Sequence, residues 1–392
     1  MRILAVNAGS SSLKFQMYEM PEEKVLISGY FERIGLSDSF YTIKKDEEKN
    51  KKIISLHDHN DAVKLLIEEL FNYKVISTLS EIKGVGHRVV HGGDKYSKSV
   101  IIDDEVINTV EELIPLAPLH NPANLMGIKA FNESIKECFS VAVFDTAFHQ
   151  TMPKVSYIYG TPYEWYTDYG VRKYGFHGTS HNYITDYMKE KLNNSTPNLI
   201  TCHLGNGVSI TAVKEGESYD TSMGFGPNAG LIMGTRSGDI DTAIIPYMMD
   251  KKQTNLEDIM DELNKKSGYL GISGISSDSR DIEEGILKGD ERAILAQDLY
   301  VRRIVEYIAK YYVLLGRIDA ICFAGGIGEN AIMTREKIIN SLKVLGIELN
   351  TEANKTIGKF KLLTTNNSKI SCYIVPTDEE VMIAREVYEF LK

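Results

Sequence analysis

Ile3-Leu4-Ala5-Val6-Asn7-Ala8-Gly9-Ser10-Ser11-Ser12-Leu13-Lys14-Phe15 opens the chain. A short apolar run meets a Gly/Ser turn and leaves it as a second run. Half a chain later the same form returns as Leu199-Ile200-Thr201-Cys202-His203-Leu204-Gly205-Asn206-Gly207-Val208-Ser209-Ile210. Each reads as a strand folded back through a tight hairpin rich in Gly, Ser and Asn. Such a turn aims backbone N–H groups and hydroxyls at one point, which suits a phosphate. Two copies predict two similar α/β domains facing each other across a phosphate-bearing ligand.

Outward from these turns, the order of elements repeats. Strand-like runs fill the chain to about Ser55, and helical periodicity follows in Ala62, Val63, Leu66, Ile67 and Leu70. Asp103 is the expected N-cap of a second helix. Asn121-Pro122 is expected to open a third, with Asn as N-cap and Pro in the first turn. Val141–Phe144 then reads as a buried strand ending at Asp145. After residue 199 strands again precede a long helix, opened by Asp290 and stopped by Gly316. The strand Ile318–Phe323 then feeds the turn Ala324–Gly328. The Tyr/Gly-rich segment Tyr157–Gly178 is expected to carry the chain between domains. The domains are placed at 1–150, joined by a C-terminal helix at about 377–392, and at 151–376.

The 392 residues are 43% hydrophobic, enough for two ordinary cores. A formal charge of −10 argues against a nucleic-acid or anionic-membrane partner. No apolar stretch is long enough to span a bilayer, and the N-terminus lacks a signal-peptide pattern. Of the four cysteines, Cys202, Cys322 and Cys372 fall in apolar strand-like runs, as small core residues of a reducing compartment do. These features predict a cytoplasmic protein.

Two nucleotide motifs drop out. There is no GxxxxGK[ST], and Gly224–Ala229 fits a loose GxGxxA only with Pro227 inside it and no strand before it. Two Gly-framed arginines remain, in Gly86-His87-Arg88-Val89-Val90-His91-Gly92-Gly93 and Gly234-Thr235-Arg236-Ser237-Gly238-Asp239. Arginine forks grip carboxylate and phosphate, and flanking glycines let backbone come close. Isolated arginines are more often surface ion pairs, but the repeated frame suggests one anion site. His177 and His181 share the i,i+4 spacing of His87 and His91, yet neither pair has the Glu of a zinc-protease helix. A hydrogen bond from His177 to a charged oxygen is the better reading. Asp145, at a strand end, and Glu379 with Glu380, at a helix start, are carboxylates that could cap helices or hold Mg²⁺.

In this order the motifs resemble the acetokinase family, within the superfamily of acetate and sugar kinases, actin and heat-shock ATPases. The resemblance runs from Asn7–Lys14 through Gly86–Gly93, Pro118–Pro122, Phe144–His149, Tyr174–His181, His203–Gly207, Met233–Asp239 and Gly325–Asn330 to Thr377–Glu380. It implies two duplicated RNase-H-like (actin-like ATPase) domains with the active-site cleft between them, and a homodimer. It also implies transfer of the γ-phosphoryl group of ATP to acetate, giving acetyl phosphate and ADP. By that resemblance Asn7 and Glu379 hold Mg²⁺, with Mn²⁺ as a substitute, while Ser10, Ser12 and Lys14 form a first phosphate loop. Arg88 and Arg236 are the active-site arginines, Asp145 the essential aspartate and His177 the transition-state donor. His203, Leu204, Gly205, Asn206 and Gly207 form the second phosphate loop. Asp278, Ser279 and Arg280, with Gly326, Ile327, Gly328, Glu329 and Asn330, lie on the adenosine side. Val90, Leu119, Phe176 and Pro227 surround the substrate methyl group. Alternatives are a propionate or short-chain fatty acid kinase and a non-kinase ATPase of the same fold. An ionised acceptor has no proton to surrender, so Asp145 is not expected to act as a general base.

Overall fold

The computed structural model describes residues 1–136 and 138–392 and divides into two compact units. Met1–Phe148 together with Asp378–Lys392 forms the first, and His149–Thr377 the second.

In the first unit, β1 (Arg2–Gly9), β2 (Ser12–Glu19), β3 (Lys24–Glu32), β4 (Phe40–Lys45) and β5 (Glu48–Ile53) form an antiparallel meander. β6 (Ile82–Val89) pairs parallel to β1, and β8 (Phe139–Phe144) parallel to β6, while β7 (Val100–Ile101) closes the edge. The strand order is β5-β4-β3-β2-β1-β6-β8-β7. β1 does not alternate: Ile3, Leu4, Ala5 and Val6 are all buried, because both faces of the sheet are covered. Leu4 and Val6 pack into a core with Phe15, Leu66 and Phe131. The helix Glu379–Leu391 lies against β1 and β6.

The second unit repeats this plan. β9 (Leu199–Leu204), β10 (Val208–Lys214) and β11 (Glu217–Thr221) are antiparallel. β12 (Ala320–Ala324) runs parallel to β9, β14 (Ser371–Ile374) parallel to β12, and β13 (Lys361–Leu362) lies at the edge. Its order, β11-β10-β9-β12-β14-β13, matches β3-β2-β1-β6-β8-β7 strand for strand and direction for direction. The fold is α/β, two copies of an RNase-H-like sheet. The long helix Glu291–Leu315 buries Ala293, Ala296, Tyr300, Ile304, Ile308 and Tyr311, a 3–4 spacing that keeps one stripe inward. Asp290 caps it, accepting from Arg292 N and Ala293 N, and Gly316 ends it at φ 69°. Among the described residues no helix is long and apolar enough to cross a membrane.

Three local expectations change. Asn121 is the first residue of its helix rather than the N-cap, which is His120. Its amide is spent instead on His91 N, His91 O and Val110 O, since a buried amide must satisfy its own polar atoms. The chain passes from the first unit to the second between Phe148 and His149, so Tyr157–Gly178 lies inside the second unit. The Gly-rich turn after β12 is a short helix, Gly325–Asn330.

Candidate functional site

The first unit gathers its charge at the ends of β6 and β8 and the start of the last helix. Arg88 projects from β6 one residue before its end, and Asp145 directly follows β8. The Arg88 Nε donates to both Asp145 carboxyl oxygens at 2.9 and 3.1 Å, and Nη2 donates to Oδ2 at 2.5 Å. Asp145 is buried and Arg88 mostly so, which makes this fork–fork pair rigid rather than a surface contact. Asp378 caps the last helix by accepting from Val381 N at 2.9 Å, so Glu379 and Glu380 are released from capping duty. Glu380 pairs with Lys14 on β2, and Lys14 stands opposite Asn7 of β1. Burial pushes the Glu379 carboxyl up to about 7, with Asp145 and Glu380 adding repulsion against the pull of Arg88 and Lys14.

The oxygen-only set of Asn7 and Glu379 suits a hard cation, and the excess of carboxyl groups around Glu379 favours a positive charge there. Among the described residues no group of three or more His, Cys, Asp or Glu converges to hold a metal unaided. Mg²⁺ commonly keeps its waters and borrows substrate phosphates, so one carboxylate and one amide fit it.

Asn124, absent from the sequence-based set, ties this end together: its amide donates to Ala8 O at 2.9 Å and accepts from Val90 N at 3.0 Å. His59 Nε2 donates to Gly9 O at 2.8 Å. The first hairpin, with Ser10 and Ser11 as its two-residue loop between Gly9 and Ser12, is thus pinned from two helices. A polar Asn on the buried face of a helix is the signal that marks Asn124. Val90 is buried and Leu119 is 66% exposed.

The second unit holds the remaining groups. His177 sits at φ 56° as the N-cap of the helix Gly178–Lys191, a left-handed conformation uncommon for a residue with a side chain. His149 Nε2 donates to the Phe176 carbonyl at 3.0 Å and holds the strand of chain before it. The His177 ring lies tilted against that of His203, centroids 4.3 Å apart. His203 Nδ1 lies 2.8 Å from Ser180 Oγ, which is 2.9 Å from Thr377 Oγ1. Arg236 is half-buried, with Nη1 donating to Pro227 O at 3.2 Å, and no carboxylate pairs with it among the described residues. Burial draws its guanidinium below the ordinary arginine value, yet arginine remains charged at neutral pH. A half-buried cation without a counterion is a place for an anion. Gly207 permits this packing, because a β-carbon there would meet His177 Nε2 at 3.1 Å and Arg236 Nη1 at 3.8 Å.

Beside this group opens a cavity of about 570 Å³, a nucleotide-sized volume. Gly205 and Asn206, Ser277–Arg280, and Gly326, Ile327 and Asn330 supply most of its lining, three segments far apart in sequence, while Gly328 and Glu329 do not line it. Asp278 caps the helix Ser279–Leu287 and is bound by Arg280, whose hydrogen bonds hold its carboxyl down to about 2. Glu329 has a structural post: its Oε1 accepts from Gly325 N at 3.0 Å and Thr377 N at 3.1 Å. Asn330 closes its own turn through Gly326 O. The sequence-based set is therefore gathered in two groups, with Asn7, Ser10, Ser12, Lys14, Arg88, Val90, Leu119, Asp145 and Glu379 in the first unit. Phe176, His177, the second loop, Pro227, Arg236 and the cavity residues belong to the second.

Residues 2–385 match the acetokinase family. An acetate kinase of Listeria monocytogenes is 53% identical over 388 residues, covering 98% of each chain. The crystal structure of Porphyromonas gingivalis acetate kinase superposes with a TM-score of 0.95 at 44% identity, covering all of both chains. A propionate kinase from Francisella tularensis superposes with a TM-score of 0.94 at 40% identity, covering 98% of each.

Proposed function

The chain belongs to the acetokinase family and is a kinase acting on a carboxylate, transferring the γ-phosphoryl group of ATP to acetate, and we propose that the two groups of residues above divide this work. Arg88, fixed by Asp145, receives the acceptor carboxylate, with Val90, Leu119, Phe176 and Pro227 around its methyl group. The cavity of the second unit takes the nucleotide, with Gly205–Gly207 at the phosphates. Arg236 and His177 face the transferring group, where the unpaired cation meets developing negative charge.

Asn7 and Glu379 would hold Mg²⁺, which would supply positive charge against that of the phosphates. The residues themselves supply alignment, which is most of what phosphoryl transfer asks of a protein. Asp145 takes no proton: acetate is ionised at neutral pH, and both Asp145 oxygens accept from Arg88.

The observation that carries this reading is the full-length family match. The structural likeness to a propionate kinase supports a second acid as a slower substrate, since one methylene is worth only about 1–3 kcal/mol in an apolar pocket. A cytoplasmic homodimer belongs to the same proposal: Val155, Tyr163, Trp165 and Tyr169 are exposed on one segment of the second unit, and large exposed apolar groups favour a partner. Light scattering of the purified chain tests the dimer.

The direct test of the activity is ADP release from Mg-ATP with acetate, propionate, butyrate or glycerol in parallel, with hydroxylamine trapping of acyl phosphate. Acetate-dependent turnover with trapped acyl phosphate is expected. ATP hydrolysis indifferent to acetate would remove the roles given to Arg88, Arg236 and His177.

A further inference from the structure

The loop that carries Arg236 fills a notch between two consecutive helices of the second unit. The helix Leu256–Lys265 ends and the helix Gly268–Ser273 begins with only Lys266 and Ser267 between them. Helix ends leave carbonyls at one terminus and N–H groups at the other without partners inside the helix. Here one loop meets both. At the end of the first helix, Ser237 N donates to Leu263 O at 3.0 Å and Thr235 Oγ1 to Asn264 O at 2.9 Å. At the start of the second, Ser267 N donates to Thr235 O at 2.9 Å, Tyr269 N to Met233 O at 2.9 Å and Leu270 N to Gly234 O at 3.0 Å.

Gly268 lets the two backbones come this close. It sits at φ 62°, and a β-carbon there would collide with Met233 O and meet Arg236 O at 2.8 Å. Both are backbone atoms, so no side chain can turn aside to make room. Met233 N donates to Arg236 O at 3.1 Å and closes the loop, and Gly234 N donates to Asn206 O of the second phosphate loop at 3.1 Å. The second helix is fastened inward in turn. Tyr269 Oη donates to Gln297 Oε1 at 2.7 Å and Gln297 Nε2 to Thr334 Oγ1 at 3.0 Å, and all three residues are buried.

The arginine side chain has far less to hold it. Among the described residues its guanidinium donates only to Pro227 O at 3.2 Å and to the Met233 sulfur at 3.7 Å. Its place is therefore set by the backbone beneath it. We propose that Thr235 and Gly268 are positioning residues: they seat the arginine loop in this notch, and the seat fixes where the Arg236 guanidinium meets the transferring phosphoryl group. The proposal rests on the kinase reading for what Arg236 meets, but not for the seat itself.

Thr235→Val keeps the size and shape of the side chain and deletes the bond to Asn264 O. Arg236 acts at the transferring group, where a misplacement of about 1 Å costs on the order of 100-fold. The expected kcat is therefore lower by roughly 10- to 100-fold, with KM for ATP and acetate within about twofold. Thr235→Ser, which keeps the hydroxyl, restores most of the rate. A folded Thr235→Val with unchanged kcat, or with a change confined to Tm, overturns the proposal, as does a loss that Thr235→Ser fails to recover. The seat is also read without turnover, in crystal structures of Thr235→Val and Gly268→Ala. Displacement of Arg236 relative to Gly205–Gly207 by about 1 Å is expected, and an unmoved Arg236 overturns the proposal. Thr235→Val alone carries this comparison should Gly268→Ala fail to fold. Absent acetate-dependent turnover in the unmodified protein, with the loop displaced in the variant, would instead remove the kinase reading and leave the seat standing.

Discussion

At the scale of single residues, charge placement decides what each group can do. Asp145 is buried and both of its oxygens accept from Arg88, so it serves as the arginine's anchor. Asp145→Asn leaves the guanidinium with a neutral, weaker acceptor, and removing one member of a buried pair costs up to about 3–5 kcal/mol. The expected result is a kcat lower by about 100-fold or more, with an unchanged shape of the pH–rate profile and a lower urea midpoint. A variant whose activity returns only at high pH would reinstate Asp145 as a general base. Arg88 and Asp145 were legible in the sequence as chemistry-bearing types beside glycines and at a strand end. Their mutual contact was not, because 57 positions separate them and only the parallel pairing of β6 with β8 joins them. The partners of Asn124 were hidden for a related reason: Ala8 lies in β1 and Val90 just after β6, both far from it in sequence.

At the scale of elements, the last helix is held where its first turn can serve the site, and two glycines of β6 make that seat. A β-carbon on Gly86 would collide with Ile383 Cγ2 and meet Val387 Cγ2 at 2.8 Å, and one on Gly84 would collide with Val387 Cγ1. Gly86→Ala therefore overpacks the interface, at a cost of about 1–3 kcal/mol. It also lifts Glu379 away from Arg88 and Asp145. A lower Tm together with a raised Mg²⁺ requirement is the expected outcome, and a variant with normal Tm and normal Mg²⁺ dependence would show that the helix does not depend on this close approach. Periodicity and caps made several of the longer helices readable, as with Asp103, Asp290 and Gly316. They misled at Asn121, where a good capping residue was drawn into a buried tertiary network instead, and at Gly325–Asn330, where glycines hide a helical turn.

At the scale of the whole molecule, the duplicated sheet was readable because the two Gly-rich hairpins mark the same place in each copy, β1–β2 and β9–β10. The insertions that distinguish the copies, such as the β4–β5 hairpin, carry no such mark. Folding this scaffold also buries several histidines as neutral rings, and that ties global stability to pH. Burial lowers His87 to about 3 and His91 to about 4, and His181 also falls well below the ordinary value. In the unfolded chain each takes up a proton near pH 6.5. Below that pH the unfolded state binds more protons than the folded state. Stability is therefore complete above about 6.5 and is lost as pH falls toward 4, by up to about 1.4 kcal/mol per pH unit for each ring. Glu379 works the other way, since its folded carboxyl is raised to about 7. It binds a proton in the folded state first, and so offsets one of the three rings between about pH 7 and its unfolded value. Urea midpoints should accordingly fall between pH 7 and 5 with a net uptake of more than one proton on unfolding. His87 supplies a clean check, because its Nε2 finds no hydrogen-bond partner among the described residues and its ring packs edge-on against Phe131 at 5.5 Å. Its replacement by an apolar side chain loses no bond at that nitrogen and removes one acid-sensitive group. His87→Leu should keep near-native stability at pH 7.5 and show a shallower loss toward pH 5. An unchanged slope would mean that the His87 ring is already protonated in the folded protein.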